Sequence, residues 1–314
     1  MRPALALPAL LLLAACSTPT STEAAGPAPA PPAPVSDAVF GDYSTVDWCS
    51  LIDPGVLSAL GTPTQAKPEG YDGCYAGIAD PRAGFSPMTL HLGAQDPLSP
   101  ESFAVDTQRA DDGATVITQV DIESECRKLL TLPSGSRVAV RLEVLGDPVT
   151  TGTPCTPVDA QLKSLRTSLN SGRPVAHHQV SAPTARTADP CAAAPADVVA
   201  GTPGLAGTAR RRLPVSHHCV WEQGNDLRLS VSLSSEGRGA GEFREHKTIE
   251  GQAVTLSRFS DGACWLVLPV RPVAGDTEGA VETVRVRYTP PSRDVDSCGL
   301  AAKIAIGART TLTA

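Results

Sequence analysis

Aromatic side chains are scarce in this sequence, whose 314 residues include three tryptophans, four tyrosines and five phenylalanines. Any hydrophobic core must therefore be filled mainly by Val, Leu, Ala and Ile. Positive charge is also in short supply, since 26 bases face 33 acids and the net charge is −7. A nucleic-acid groove needs clustered positive charge, so we expect no nucleic-acid partner. Hydrophobic residues still make up 41% of the chain, which excludes full disorder.

The motifs of common enzyme classes are also missing. No G-x-S-x-G pentapeptide is present, and the glycine-rich residues 237–241 lack the Lys-Ser/Thr of a phosphate-binding loop, so a turn between strands is expected there. The acids Asp111-Asp112 and Glu123/Glu125 lie in polar runs typical of solvated loops. We therefore predict a noncatalytic protein without a cofactor, and an enzyme with an unrecognised site is the third hypothesis.

The amino terminus predicts the compartment. Residues 4–13 form an apolar run that follows Arg2 and has the length of a signal-peptide core, too short for a membrane span. The run ends in Leu13-Ala14-Ala15-Cys16, which resembles the lipobox of bacterial lipoproteins. The resemblance implies a signal peptide at 1–15, cleavage before Cys16 and acyl chains such as palmitate on that cysteine. The alternative is an ordinary secretory signal with an incidental cysteine.

Residues 16–44 are predicted to combine the lipidated cysteine with a tether rich in Pro, Ala, Ser and Thr. The predicted location is the extracytoplasmic face of the membrane, where the lipid on Cys16 provides the membrane contact. Only five of the 26 bases are lysine, and Ala and Pro are abundant. This usage suggests a GC-rich genome and fits an actinobacterial source.

The other eight cysteines form two sets of four with similar spacing. The steps are 25, 52 and 29 residues within the first set and 28, 45 and 34 within the second. An even number of cysteines in an exported chain predicts disulfides. The steady period between matching cysteines, 138 to 145 residues, predicts a duplicated domain at 45–172 and 189–314 with a linker at 173–188.

The residues between the cysteines predict matching elements. Asp53-Pro54 and Gly61 frame a short helix in the first half, and Pro195 and Gly201 frame another in the second. Apolar residues alternate as in strands, at Met88, Leu90, Leu92, Val138, Val140, Leu142 and Val144, then at Leu227, Leu229, Val231, Leu233, Val281, Val284, Val286 and Tyr288, with one slip in the last set. Helical spacing follows at Val158, Leu162, Leu165 and Leu169, and more weakly at Leu300, Ile304 and Ile306. The predicted fold class is α+β, with two tandem repeats of short helix, antiparallel sheet and closing helix.

Each set of four cysteines allows three pairings, and the sequence alone does not choose among them. We favour first with second and third with fourth, because these pairs would fix the opening helix to a strand and the closing helix to the sheet. The favoured disulfides are Cys49–Cys74, Cys126–Cys155, Cys191–Cys219 and Cys264–Cys298. No cysteine spacing matches a zinc site, so no metal is expected.

This pattern resembles the actinobacterial cysteine-containing lipoproteins grouped as a domain of unknown function, here in two tandem copies. The motifs that carry the resemblance are Trp48-Cys49-Ser50-Leu51 with Ala59-Leu60-Gly61, Thr153-Pro154-Cys155, and Asp189-Pro190-Cys191 with Cys219-Val220-Trp221. The first copy departs from the pattern, since Trp48 replaces Pro and Tyr75-Ala76 stands in place of Val220-Trp221. The resemblance implies a cell-envelope lipoprotein and supplies no catalytic residue.

A few other residues are candidates for binding. Arg210, Arg211 and Arg212 form a dense basic cluster, either a solvated loop tip or a contact for an anionic lipid or wall polymer. The doublet His177-His178 is expected in a solvated loop, and His217-His218 at the entrance of a strand. Trp221 and Trp265 are expected to pack over disulfides in the core, with a ligand platform as the alternative.

We therefore predict a lipid-anchored surface protein that acts as a noncatalytic binding or interaction module of the cell envelope. Its expected partner is an unidentified envelope protein, polymer or lipid. The alternative function is a carrier or sensor of an apolar or envelope-derived ligand, which requires a cavity that the sequence does not reveal.

Overall fold

The computed structural model describes residues 37–79, 88–94, 106–109, 114–122, 124–133, 135–145, 154–180, 184–212, 217–223, 226–236, 245–273 and 279–314. The predicted signal peptide, Cys16 and most of the proposed tether lie outside these residues. So do Asp111-Asp112, Glu123, Thr153 and the glycine-rich residues 237–241. All the described residues belong to one unit, 32–314.

The first antiparallel sheet has eight strands. They are β1 Thr62–Pro63, β2 Lys67–Glu69, β3 Gly73–Ala79, β4 Met88–Ala94, β5 Asp106–Arg109, β6 Thr115–Ile122, β7 Glu125–Thr131 and β8 Arg137–Val144. Their order is β1-β3-β4-β8-β7-β6-β5, and β2 also pairs with β3. The predicted alternation is confirmed in β4 and β8, where Leu90, Leu92, Val138, Val140 and Leu142 are all buried.

Two α-helices belong to the first core. Helix α1, Pro54–Leu60, begins after Asp53, whose side chain accepts a hydrogen bond from the Gly55 backbone N–H. It ends at Gly61, whose φ of +152° favours glycine. Helix α2, Cys155–Asn170, packs against β7 and β8 and buries Val158, Leu162, Leu165 and Leu169. The sequence predictions for both helices are confirmed.

The second antiparallel sheet has seven strands. They are β9 Ala209–Arg212, β10 His218–Gln223, β11 Asp226–Glu236, β12 Glu245–Ile249, β13 Gln252–Arg258, β14 Cys264–Pro272 and β15 Val281–Tyr288. Their order is β12-β13-β14-β15-β11-β10-β9. The slip in the predicted alternation lies at the start of β15, where Glu282 is buried and Val281 is only partly buried.

Three helices accompany the second sheet. They are α3 Pro190–Ala193, α4 Ala196–Ala200 and α5 Ser297–Thr313. Helix α5 packs mainly on β14 and β15 through Ile304 and four alanines, Ala301, Ala302, Ala305 and Ala308. The apolar spacing in the sequence is weak here because alanine, rather than leucine, makes most of this contact. Leu300 and Ile306 are partly buried at its margin.

The eight described cysteines form four disulfides, Cys49–Cys74, Cys126–Cys155, Cys191–Cys219 and Cys264–Cys298. These are the pairs favoured from the sequence. Each joins a helical segment to a strand, and for Cys49 this segment is the short 3-10 helix Trp48–Leu51. The closed loops span 25 to 34 residues. Loops of this length are worth about 3 to 4 kcal/mol each in the chain-entropy model.

The architecture is α+β in the broad sense, with more sheet than helix among the described residues. Two hydrophobic cores are present, one beside each sheet. The first core includes Phe40, from the segment predicted as tether, and Val175, from the predicted linker. The second includes Ala185 from that linker. Residues at both predicted boundaries therefore pack in the cores.

Candidate functional site

The basic cluster Arg210–Arg212 lies on β9, which pairs with β10 at the edge of the second sheet. Because side chains alternate along a strand, Arg211 points to the opposite face from Arg210 and Arg212. The Arg211 guanidinium contacts both carboxylate oxygens of Glu222 at 3.1 Å. The three arginines are exposed, but they do not form one patch on a single face, and a loop tip is the wrong description of them.

The first histidine doublet is not in a solvated loop, contrary to the sequence interpretation. His177 and His178 are both partly buried against the segment before the first helix. His177 Nδ1 lies 2.8 Å from Thr45 Oγ1, and the His178 backbone N–H donates to the Thr45 carbonyl at 2.7 Å. Burial, together with the charge of Arg186, lowers the pKa of His178.

The second histidine doublet joins the two sheets. Asp72, in the turn between β2 and β3, pairs with His217, whose side chain is 2% exposed. His217 Nδ1 lies 2.6 Å from Asp72 Oδ1, and the His217 backbone N–H donates to Asp72 Oδ2 at 2.9 Å. The other ring nitrogen, Nε2, contacts the backbone carbonyl of Arg186. The partner Asp72 lies 145 residues away in the chain, so no local sequence signal could have found it.

The hydrogen bonds define the chemistry of this pair. Burial alone would raise the pKa of Asp72, but the charge and hydrogen bond of His217 and the charge of His218 together hold it below its usual range. Both ring nitrogens of His217 are engaged, Nδ1 by the Asp72 carboxylate and Nε2 by the Arg186 carbonyl. Neither nitrogen is left to act as a base toward a substrate, and the pair serves as a contact between the sheets.

A second buried contact adjoins this pair. The Tyr71 hydroxyl donates to Glu282 Oε1 at 3.1 Å, and burial, reinforced by the charge of Glu282, raises the pKa of Tyr71. Glu282 also accepts from Arg271 Nε at 2.7 Å and from the Ala185 backbone N–H at 3.2 Å. Tyr71 follows β2 of the first sheet in the chain but packs in the core of the second. These contacts fix the β2–β3 turn in the second half of the molecule.

The β2–β3 turn lies so close to β11 of the second sheet that its first position, residue 70, favours glycine. Gly70 has a φ of +66°, and a Cβ atom there would lie 2.5 Å from Ser234 Oγ of β11. Any larger residue would therefore be strained by the positive φ and would require the Ser234 hydroxyl to move.

A row of polar side chains crosses the first sheet on the face opposite α2. We call it the cross-sheet row, and its members are Lys67, Tyr75, His91, Arg141 and Arg127, one from each of the neighbouring strands β2, β3, β4, β8 and β7. Each alternates with residues that face the first core, such as Cys126 beside Arg127. The row is thus a continuous line of side chains about 5 Å apart.

Three glutamates neutralise part of the cross-sheet row. Arg141 Nε contacts Glu125 Oε1 at 2.8 Å, and its Nη2 pairs with Glu143. His91 Nδ1 lies 2.8 Å from Glu69 Oε2. The pKa of Glu69 is lowered, mainly by the hydrogen bond from His91. Burial opposes this shift, whereas the charges of Arg141 and of Arg285 on β15 reinforce it. Glu69 therefore lies within electrostatic range of both sheets.

The two tryptophans lie on opposite faces of the second sheet. Trp221 is 6% exposed and packs in the core with Cys219, as expected. Trp265 is only partly buried and lies outside that core, so the expectation for it is wrong. Because Cys264 faces the core, alternation places its neighbour Trp265 on the other face, and this signal was available in the sequence.

Within the described ranges, no three His, Cys, Asp or Glu side chains come together as a metal site requires. None of the helices in the part of the chain that the structure describes is both long and apolar enough to cross a bilayer.

The comparisons with known proteins add little. No protein-family model and no curated protein matches the sequence. A structural match is the crystal structure of DynU16, a protein from the dynemicin biosynthetic locus, with 11% identity over 90% of this chain and 94% of that chain. The TM-score is 0.15, and an overlap this low carries no argument about fold or function.

Proposed function

We propose that this protein is a lipid-anchored surface protein and a noncatalytic binding module of the cell envelope, with the cross-sheet row as its binding surface. The row carries this proposal. Partly buried ion pairs add little net stability, because desolvation offsets most of their attraction. A line of polar side chains across five strands, only part of which is ion-paired, is better explained by recognition of a partner than by a need of the fold.

Cysteine usage supports the anchor on the extracytoplasmic face. Eight of the nine cysteines are engaged in disulfides, which are typical of oxidising compartments. The ninth is Cys16, which follows Leu13-Ala14-Ala15. Two or three acyl chains on that cysteine would hold the protein at the membrane far better than one.

Strand order supports a duplicated domain within the same proposal. The first sheet contains the path β3-β4-β8-β7-β6-β5, with β2 beside β3, and the second contains β10-β11-β15-β14-β13-β12, with β9 beside β10. The cysteines occupy matching places, on β3 and β10 and at the start of α2 and near the start of α5. These similarities favour two tandem repeats and agree with the proposed relation to the actinobacterial cysteine-containing lipoproteins.

The anchor is tested by replacing its thiol. In the native host, we expect the wild-type protein in the membrane fraction with incorporated palmitate label. We expect Cys16→Ala without label, either in the soluble fraction or as the uncleaved precursor. Ser17→Ala is the matched control and should behave as wild type. Labelled, membrane-bound Cys16→Ala protein would contradict the proposal.

The binding surface is tested by photo-crosslinking in the native host. Benzoylphenylalanine replaces Tyr75, within the cross-sheet row, or Thr107, on the exposed edge strand β5. We expect a discrete adduct from position 75 and none from position 107. Equal labelling from both positions, or none from position 75, would argue against a partner at the row.

The alternative carrier function is distinguished by native mass spectrometry of unreduced protein from its own host. A clean mass, lower by eight hydrogens than the reduced chain, is expected for four disulfides without cargo. Additional mass that is lost on denaturation would favour the carrier.

A further inference from the structure

We infer that Arg127 binds a carboxylate group of the partner or ligand, at the β7 end of the cross-sheet row. This inference rests on the proposed binding function of that row and names the chemistry it recognises.

The strand fixes where Arg127 points. Cys126 beside it faces α2 and is bonded to Cys155 at the start of that helix, so Arg127 lies on the opposite face. In the antiparallel register Arg127 pairs with Arg141 on β8 and with Val120 on β6. Its position is therefore set by the sheet and by a disulfide at the adjacent residue.

The Arg127 guanidinium is a member of the row that has unused hydrogen-bond donors. Its Nε is buried without a hydrogen-bond partner, and in the described part of the chain the guanidinium makes no ion pair. The nearby carboxylates are already engaged, Glu125 and Glu143 by Arg141 and Glu69 by His91. None of these carboxylates pairs with Arg127, so a bound ligand can supply the acceptor that the guanidinium lacks.

Leaving this group unpaired is unfavourable. A guanidinium has five N–H donors, no acceptor and no accessible neutral form at ordinary pH. Burial, reinforced by the like charge of Arg141, lowers the pKa of Arg127, while Glu125 and Glu69 act in the opposite direction. A buried donor without a partner costs about 1 to 3 kcal/mol. An oxyanion bound at Arg127 would satisfy the donors and offset the repulsion from Arg141.

The surrounding charges select the type of oxyanion. A carboxylate matches the planar guanidinium with two parallel hydrogen bonds and carries one negative charge. Glu125, Glu143 and Glu69 lie on the same part of the face, and they would repel the second charge of a phosphate dianion. The site is thus suited to a carboxylate, whether from a small free acid or from a peptide.

The test is an NMR titration of the full-length protein in detergent micelles, with the arginine Nε–H groups labelled with ¹⁵N. Sodium propionate, inorganic phosphate and sodium chloride are added separately at constant ionic strength. We expect a saturable shift of the Arg127 Nε–H signal with propionate, a much weaker response to phosphate and none to chloride. Equal responses to the three salts, or no saturable shift with propionate, would overturn the inference.

Two variants and a peptide pair complete the test. Arg127→Lys assigns the signal by its loss. Propionate binding to this variant, followed through the neighbouring Arg141 Nε–H signal, should be about tenfold weaker, because lysine cannot form the paired hydrogen bonds. Arg109→Lys, on β5, is the matched control and should leave it unchanged. If Arg127→Lys does not fold, triple-resonance correlations assign the wild-type signal.

The source of the carboxylate is tested with a peptide that has a free carboxyl terminus and with its amide. If the free peptide binds more tightly than both its amide and propionate, the ligand is a peptide. If propionate binds and the peptide has no added affinity, the ligand is a small acid.

Failure of this inference is distinguishable from failure of the proposed function. If Arg127 does not respond to propionate but crosslinking from position 75 persists, the row binds a partner through another chemistry. If crosslinking is absent while Arg127 responds to propionate, the protein binds a small acid and the proposed partner surface is wrong.

Discussion

The ion pair between His217 and Asp72 is almost withdrawn from solvent, with side-chain exposures of 2% and 18%. Removing the imidazole leaves the Asp72 carboxylate without its main compensating charge. Breaking a buried pair in this way commonly costs about 3 to 5 kcal/mol. We therefore expect His217→Ala to lower the free energy of unfolding by about 3 kcal/mol, measured by urea denaturation of the unreduced protein.

His218→Ala is the matched control for this substitution. His218 Nε2 lies 3.9 Å from Asp72 Oδ2, and its side chain is 22% exposed. We expect a loss below about 1 kcal/mol, as for a partly exposed ion pair. Equal losses of unfolding free energy in His217→Ala and His218→Ala would show that the short contact between His217 and Asp72 stabilises the protein no more than the longer one does.

The same pair predicts a dependence of stability on acid. The pKa of Asp72 is lowered in the folded state, where burial is outweighed by the charge of His217. Its contribution to stability is therefore complete above the ordinary aspartate pKa of about 3.9 and is lost as the pH falls through the lower folded value. The stability advantage of wild type over Asp72→Asn should shrink between about pH 5 and pH 2 in urea titrations. An advantage that stays constant or grows would contradict the assignment.

Among the elements, α1 is fixed at its N-cap residue, Asp53, by contacts from α2. Asp53 Oδ1 accepts from the Gly55 N–H at 2.7 Å, and Asp53 Oδ2 accepts from the Ser164 hydroxyl at 2.6 Å. The Asp53 backbone N–H donates to Oε1 of the buried Gln161 at 2.9 Å. One carboxylate thus caps the helix and also attaches it to its neighbour.

Asp53→Ala should remove both functions of this carboxylate. Loss of a helix cap costs about 1 to 2 kcal/mol, so we expect a decrease of about 2 kcal/mol in the free energy of unfolding. Asp53→Asn is the matched variant, because its amide oxygen can still cap the helix and its amide nitrogen can still meet Ser164. A loss in Asp53→Asn as large as in Asp53→Ala would show that the charge, rather than the hydrogen bonds, stabilises this end of α1.

The limits of sequence prediction follow from the range of the interactions. The frame of Asp53, Pro54 and Gly61 is local, so it predicted α1, and alternation predicted β8. The cross-sheet row depends on β8 lying between β4 and β7, which places Arg141 beside His91 although 50 residues separate them. No local pattern specifies that order. The row was therefore missed, whereas Arg210–Arg212, adjacent in sequence, were noticed and are separated by strand alternation.

For the whole molecule, the β2–β3 turn couples the two sheets. Tyr71 is 3% exposed and lies in the second core, and Asp72 pairs with His217. Destabilising either sheet would expose these groups and so lower the stability of the other. The cores therefore share contacts even though each has its own sheet and its own pair of disulfides.

This coupling predicts a single cooperative unfolding transition for the unreduced protein. Hydrogen exchange followed by mass spectrometry should give similar opening free energies for peptides from β8 and from β15, since the most protected strands of a cooperative unit open together. The double variant Tyr71→Ala with Asp72→Ala should separate the two values by at least about 2 kcal/mol, because it removes a buried aromatic ring and the ion pair that join the sheets. Asp53→Ala is the control, since it weakens the first half without touching the turn and should lower both values together. Different opening free energies for β8 and β15 in the wild type would mean that the two halves unfold independently despite these contacts.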